Sequence, residues 1–122
     1  MIKASFGISE TGAVRSENQD SYLIDSKKGL FAVADGLGGL PNGSTASLMA
    51  LQTLKRGISE NNDLPLSSIL AEVNDAVREH GFRQDTSGCG TTLTVARLRD
   101  RGKCLEIAHV GDSAAYLVRA GE

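Results

Sequence analysis

The alternation of apolar and polar positions divides this chain into short extended runs on either side of two helical stripes. Residues 2–8 (IKASFGI) and 20–25 (DSYLID) read as strands joined by an ordered loop rich in Gly, Ser and Glu. Gly29 to Ala34 is a continuous apolar run of strand length, so it predicts a buried strand that delivers Asp35 to a turn containing Gly36, Gly38 and Gly39. From Ser44 to about Ser59, Ala46, Met49, Ala50 and Leu54 recur at helical spacing, with Ser44 as the N-cap. After a polar break and Leu64-Pro65, Ile69, Leu70, Val73, Ala76 and Val77 form a second amphipathic stripe ending near Gly81. Strands follow over Thr91–Leu98, Cys104–Val110 and Ala115–Val118, with a turn over Asp100–Lys103 between the first two. The predicted order is β-β-β-α-α-β-β-β, an α+β class with mainly antiparallel sheets and a helical pair. Arg97, Arg99, Arg101 and Lys103 alternate with period two, which predicts one solvated sheet surface.

Composition narrows the function classes. The 122 residues suit a single domain, residues 1–122, with no repeat, low-complexity tract or internal linker. Hydrophobic residues at 40% and charged residues at 23% are those of a globular chain. A net charge of −2 builds no broad positive field, so a nucleic-acid partner is not expected. No apolar run approaches the roughly 18 residues of a membrane span, and the first residues lack a charged and then apolar leader. The expectation is a cytoplasmic protein with no membrane partner. Cys89 and Cys104 form no CxxC pair and are read as reduced, buried small hydrophobes. His80 sits near the end of the second helix and His109 on an apolar strand; neither has a nucleophilic triad's context, which removes acyl transfer.

The candidate chemistry lies in four segments: Arg15-Ser-Glu-Asn18-Gln19-Asp20, Ala34-Asp35-Gly36-Leu37-Gly38-Gly39, Gly88-Cys-Gly90-Thr91-Thr92, and His109-Val-Gly111-Asp112-Ser113. A phosphomonoester is a dianion, and its hydrolysis needs charge neutralisation and a nucleophilic water, both of which paired divalent ions provide. Mg²⁺ and Mn²⁺ favour carboxylate, carbonyl and water oxygens. Asp20 and Asp35 stand at the ends of neighbouring predicted strands, where they could converge on one such centre. Arg15 carries a planar fork of donors suited to phosphate oxygens. Gly36 lets a backbone oxygen approach an ion without a crowding side chain. Asn18 is read as ordering the loop, and Thr91 and Thr92 as packing and hydrogen-bonding residues; the segment lacks the Lys of a nucleotide-binding loop.

In this order the four segments resemble the first half of the protein phosphatase 2C family of metal-dependent serine/threonine phosphatases, and the match covers essentially the whole chain. The resemblance implies an α-β-β-α sandwich, here partial. It also implies hydrolysis of phosphoserine and phosphothreonine on proteins by a metal-activated water, with two or more Mn²⁺ or Mg²⁺ ions in a complete site. Asp20 and Asp35 would then be metal ligands, Asp35 bridging two ions, with the Gly36 carbonyl as a further ligand. Asp112 would belong to a site for an additional metal, and Arg15 would clamp the substrate phosphate. Phosphorylated proteins would be the partners, opposing a serine/threonine kinase in bacteria. Two departures stand out: Leu37 replaces the histidine of many eukaryotic members, and Ala114 replaces a frequent arginine.

Family domains are about twice as long, and the acidic motifs of their second half do not occur after Ser113. The chain is therefore read as a fragment, a truncated product, or a piece completed by self-association. Its missing half would leave open sheet edges and an uncovered apolar face. The alternative to catalysis is a non-catalytic module that binds phosphoproteins or a partner chain.

Overall fold

A computed structural model of the protein describes residues 4–13, 17–37, 43–83 and 89–122. Four strands, β1 (Asp20–Asp25), β2 (Leu30–Asp35), β3 (Leu93–Arg99) and β4 (Cys104–Val110), form one antiparallel sheet in the order β1-β2-β3-β4. Between β2 and β3 the chain forms α1 (Gly43–Glu60) and α2 (Leu66–Arg83). The α+β class with an antiparallel sheet and a helical pair is as the pattern predicts.

Alternation decides which face of the sheet the helices cover. Leu30, Ala32 and Ala34 of β2 and Leu93 and Val95 of β3 are buried, two residues apart along each strand. Against them α1 lays Ala46, Ala50, Leu54 and Ile58, and α2 lays Leu66, Ile69, Val73 and Val77, each at helical spacing. The opposite face carries Tyr22, Ile24, Val33, Leu105 and Ile107, all exposed. Among the described residues the segment around Gly7 lies against Tyr22 and Ile24 of this face, where a Cβ on Gly7 would meet Ile24 Cδ1 at 2.9 Å, and Leu105 and Ile107 on β4 remain half exposed.

Three expectations need correction. Residues 4–8 and Ala115–Val118 are not strands; Phe6, Ile8, Tyr116, Leu117 and Val118 lie exposed, and no neighbouring strand among the described residues gives them a ladder. Cys104 is exposed and Cys89 half-buried, so neither is a fully buried hydrophobe; partial burial raises the pKa of the Cys89 thiol. Arg97, expected on a solvated surface, is 1% exposed. Its place two residues beyond Val95 puts it on the helix-facing side of β3, where it meets the start of α2.

There the guanidinium of Arg97 donates from Nε to Glu106 Oε1 at 2.9 Å and from a terminal nitrogen to the Leu64 carbonyl at 2.7 Å. The other oxygen of Glu106 accepts the N–H of Leu66, one of the donors a helix leaves unpaired in its first turn. One ion pair therefore ties β3, β4 and the head of α2. Burial alone would raise the Glu106 pKa. The Arg97 hydrogen bond, the Leu66 N–H and the charges of Arg97 and Arg99 outweigh it and hold the carboxyl below its ordinary value.

Candidate metal centre

Asp20 opens β1 and Asp35 closes β2, and the antiparallel register makes them direct partners across the pair. Side chains alternate along a strand, so both carboxylates project from the open face, in line with Tyr22 opposite Val33. Partners across such a pair have Cβ atoms about 4.5–5.5 Å apart. Two carboxylates at that separation repel, and a divalent cation between them converts the repulsion into binding energy.

Hydrogen bonds fix both backbones. Asn18 Oδ1 accepts the Asp20 N–H at 3.0 Å while Asn18 Nδ2 donates to Ser9 Oγ at 2.7 Å, so Asn18 orders the loop as its type suggests. The Asp35 N–H donates to Thr92 Oγ1 at 3.0 Å, and the Thr92 N–H returns a bond to the Asp35 carbonyl at 2.8 Å. Ser113 Oγ lies 2.9 Å from the same Thr92 hydroxyl. A cavity of about 190 Å³ opens beside this array, lined by Asp20, Asp35, Ser9 and Ser113 among others.

Gly36 follows Asp35 and donates its N–H to the Gln19 carbonyl at 3.0 Å; its own carbonyl accepts no hydrogen bond among the described residues. That leaves the oxygen open to an ion. Close approach also explains the glycine: a Cβ at position 36 would press into the Gly43 backbone, whose Cα would lie 2.9 Å away. In turn, a Cβ on Gly43 would meet Gln19 Cδ at 2.8 Å. The head of α1 is thus seated against the turn that presents Asp35.

The structure does not gather every sequence-derived candidate. Asp112 is exposed in the turn after β4, and among the described residues no three His, Cys, Asp or Glu side chains cluster as a metal site. Its neighbour Ser113, rather than Asp112, lines the cavity. Arg15, Gly38 and Gly39 lie outside the described residues. His109 Nδ1 is 2.8 Å from Thr94 Oγ1, the satisfied structural histidine its strand context suggests. Sequence reasoning missed Ser9 and Ser113 as cavity residues, and it gave Thr92 only a general hydrogen-bonding role. The pairing of Thr92 with an Asp at the end of the neighbouring strand was the available signal.

The model for the family described as "Protein phosphatase 2C" matches residues 12–122. The serine/threonine protein phosphatase PstP of Mycobacterium tuberculosis is 35% identical over 93% of this chain, which covers 22% of that protein. A putative protein phosphatase 2C-type protein of Streptococcus pyogenes is 34% identical over 92% of this chain and 49% of its own length. The chain thus spans half or less of these relatives. Among solved structures, the catalytic domain of PstP in complex with two manganese ions is 33% identical with a TM-score of 0.77, covering 94% of this chain and 50% of that one. The phosphatase MsPP of Mycobacterium smegmatis, solved with cacodylate, is 35% identical with a TM-score of 0.75, covering 87% and 44%. With the family model matching nearly every residue beyond the first few, this chain belongs to the protein phosphatase 2C family.

Proposed function

We propose that this chain carries the first half of a metal-dependent serine/threonine protein phosphatase centre, in which Asp20, Asp35 and the Gly36 carbonyl hold Mn²⁺ or Mg²⁺. The observation that carries this reading is the direct pairing of Asp20 with Asp35 on one sheet face beside a cavity. The donor set fits the ions: hard carboxylate and carbonyl oxygens, with space for coordinated water. Bound there, a divalent ion would lower the pKa of a water and neutralise phosphate charge. Arg15 is assigned to the substrate phosphate, which a planar guanidinium engages with two parallel hydrogen bonds. Asp112 is assigned to an additional metal whose remaining ligands come from elsewhere. The manganese-bound state of PstP supports the choice of ion. Phosphoserine and phosphothreonine proteins would be the substrates, in opposition to a serine/threonine kinase.

The test is p-nitrophenyl phosphate and phosphopeptide hydrolysis during a Mn²⁺ titration, with calorimetric Mn²⁺ binding as a second readout. Turnover that rises with metal and disappears in Asp35→Ala, together with lost Mn²⁺ binding, is the expected result. Metal-independent turnover, or Mn²⁺ binding unchanged by Asp20→Asn and Asp35→Ala, would overturn it.

The thin ligand set favours one second reading. Two carboxylates and a carbonyl fall short of the roughly six oxygens each ion seeks, and no third acidic ligand joins them among the described residues. A chain acting alone would then bind phosphoproteins or a partner without turnover, or would complete itself by self-association through its open face. Phosphopeptide binding without hydrolysis, and a sedimentation coefficient that rises with concentration, are the signs of those two cases.

A further inference from the structure

At the end of the sheet remote from Asp20 and Asp35, a cavity of about 520 Å³ lies between the β1–β2 turn, the α1–α2 connection and the β3–β4 turn. Strand pairing brings these turns together, because β2 and β3 are neighbours and each begins or ends there. The lining includes Lys27, Lys28, Arg99 and Arg101 against only Asp63 and Asp100. The chain as a whole carries a net charge of −2, so this end has the opposite sign to the rest. Part of the positive charge is already engaged: Lys28 Nζ donates to Ser59 Oγ, and Arg99 lies 3.6 Å from Glu106. Among the described residues, the side chains of Lys27 and Arg101 make no hydrogen bond or ion pair.

The hairpin between β3 and β4 sets where Arg101 stands. Asp100 and Arg101 both have positive φ, 51° and 58°, just before Gly102 at 84°. The Lys103 N–H closes this turn on the Asp100 carbonyl at 3.2 Å, and a hairpin turn of this hand has positive φ at both of its central residues, here Arg101 and Gly102, so the hairpin fixes Arg101 at the rim of the cavity.

We propose that this cavity is a binding site for the phosphate chain of a compact polyanion, separate from the Asp20–Asp35 centre and independent of its assignment. A concave site of this volume suits a small ligand. Its excess of guanidinium and ammonium groups suits phosphate oxygens. The phosphates could come from an inorganic chain or from a nucleoside triphosphate, and the shared chemistry is the polyphosphate.

The test uses the full chain in chelator, where the Asp20–Asp35 pair without metal repels anions. Inorganic tripolyphosphate is titrated while backbone amide shifts are followed, and ATP is titrated in a parallel arm. Shifts centred on Gly29, Leu98 and Gly102, and affinity at least tenfold weaker in Lys27→Glu/Arg101→Glu, are expected. Equal affinity for ATP identifies the phosphates alone as the ligand, and tighter ATP binding adds contacts to the nucleoside; both retain the site. Shifts centred on Asp20 and Asp35 would overturn the proposal. So would unchanged affinity in the charge-reversed variant, whose amide spectrum reports that it is folded.

Discussion

At the scale of single residues, Thr92 and Arg97 matter most. Thr92 is 5% exposed, and its hydroxyl takes the Asp35 N–H. Thr92→Val keeps the shape and strands that donor, at a cost of about 1–3 kcal/mol. We expect a lower melting temperature and weaker Mn²⁺ binding in the same variant, read by calorimetry. The partner of Arg97, Glu106, is 27% exposed, so Arg97→Met should cost about 3 kcal/mol, the low end for breaking a buried pair. Arg97→Met/Glu106→Leu should recover part of that loss, because it removes the orphaned charge as well as the pair. The pH dependence has a definite sign. Glu106 titrates below its ordinary value of 4.5 when folded, so on acidification the unfolded chain takes the proton first. Its stabilising contribution is complete above about pH 5 and is lost as pH falls through the folded pKa. Glu106→Gln should flatten that part of the stability profile in denaturant titrations.

At the scale of elements, the helices were legible because their apolar spacing holds the helical period, and β2 because it is an unbroken apolar run of strand length ending at a glycine cluster. Asp20 and Asp35 were legible as neighbours because one opens and the other closes a strand-length run and only a short turn joins the two runs. Arg97 was misjudged by counting only the charges. The preceding Leu93 and Val95 share its face and are apolar, and Glu106 waits opposite it on β4. The flanking segments at 4–8 and 115–118 have strand-like composition, but a strand also needs a neighbour, which local sequence does not reveal. Two substitutions probe how elements meet. Gly36→Ala should lower stability by about 1–3 kcal/mol by pushing against the Gly43 backbone. It should also loosen Mn²⁺ binding by shifting the head of α1 from the turn after Asp35. Arg101→Gly relieves the left-handed strain at φ 58° and should raise stability by about 1 kcal/mol in chemical denaturation.

At the scale of the whole molecule, one sheet face is covered by helices and the other presents a row of apolar side chains. Leu105 and Ile107 are each 50% exposed there, alongside Tyr22, Ile24 and Val33. A hydrophobic dye should bind this face, and Leu105→Ser/Ile107→Ser should reduce its fluorescence while leaving the helix signal in circular dichroism intact. Among the described residues no helix is long and apolar enough to cross a membrane. The open face and the proposed metal site are one surface, since Asp20 and Asp35 project from the same side as that apolar row.

The turn over residues 26–29 sets how β1 returns along β2, and therefore which residue stands opposite Asp35. Deleting one residue from it would slide β1 by a single step, carrying the first aspartate to the helical side while the second stayed behind. Point substitutions at residues 26–28 leave that register in place, whereas Gly29, at φ 63° and with no room for a Cβ beside Leu98, is held to its type; a change in the turn's length would dismantle the carboxylate pair at once. Lineages retaining the chemistry are therefore expected to keep the count of this turn and its closing glycine more strictly than the identity of Ser26.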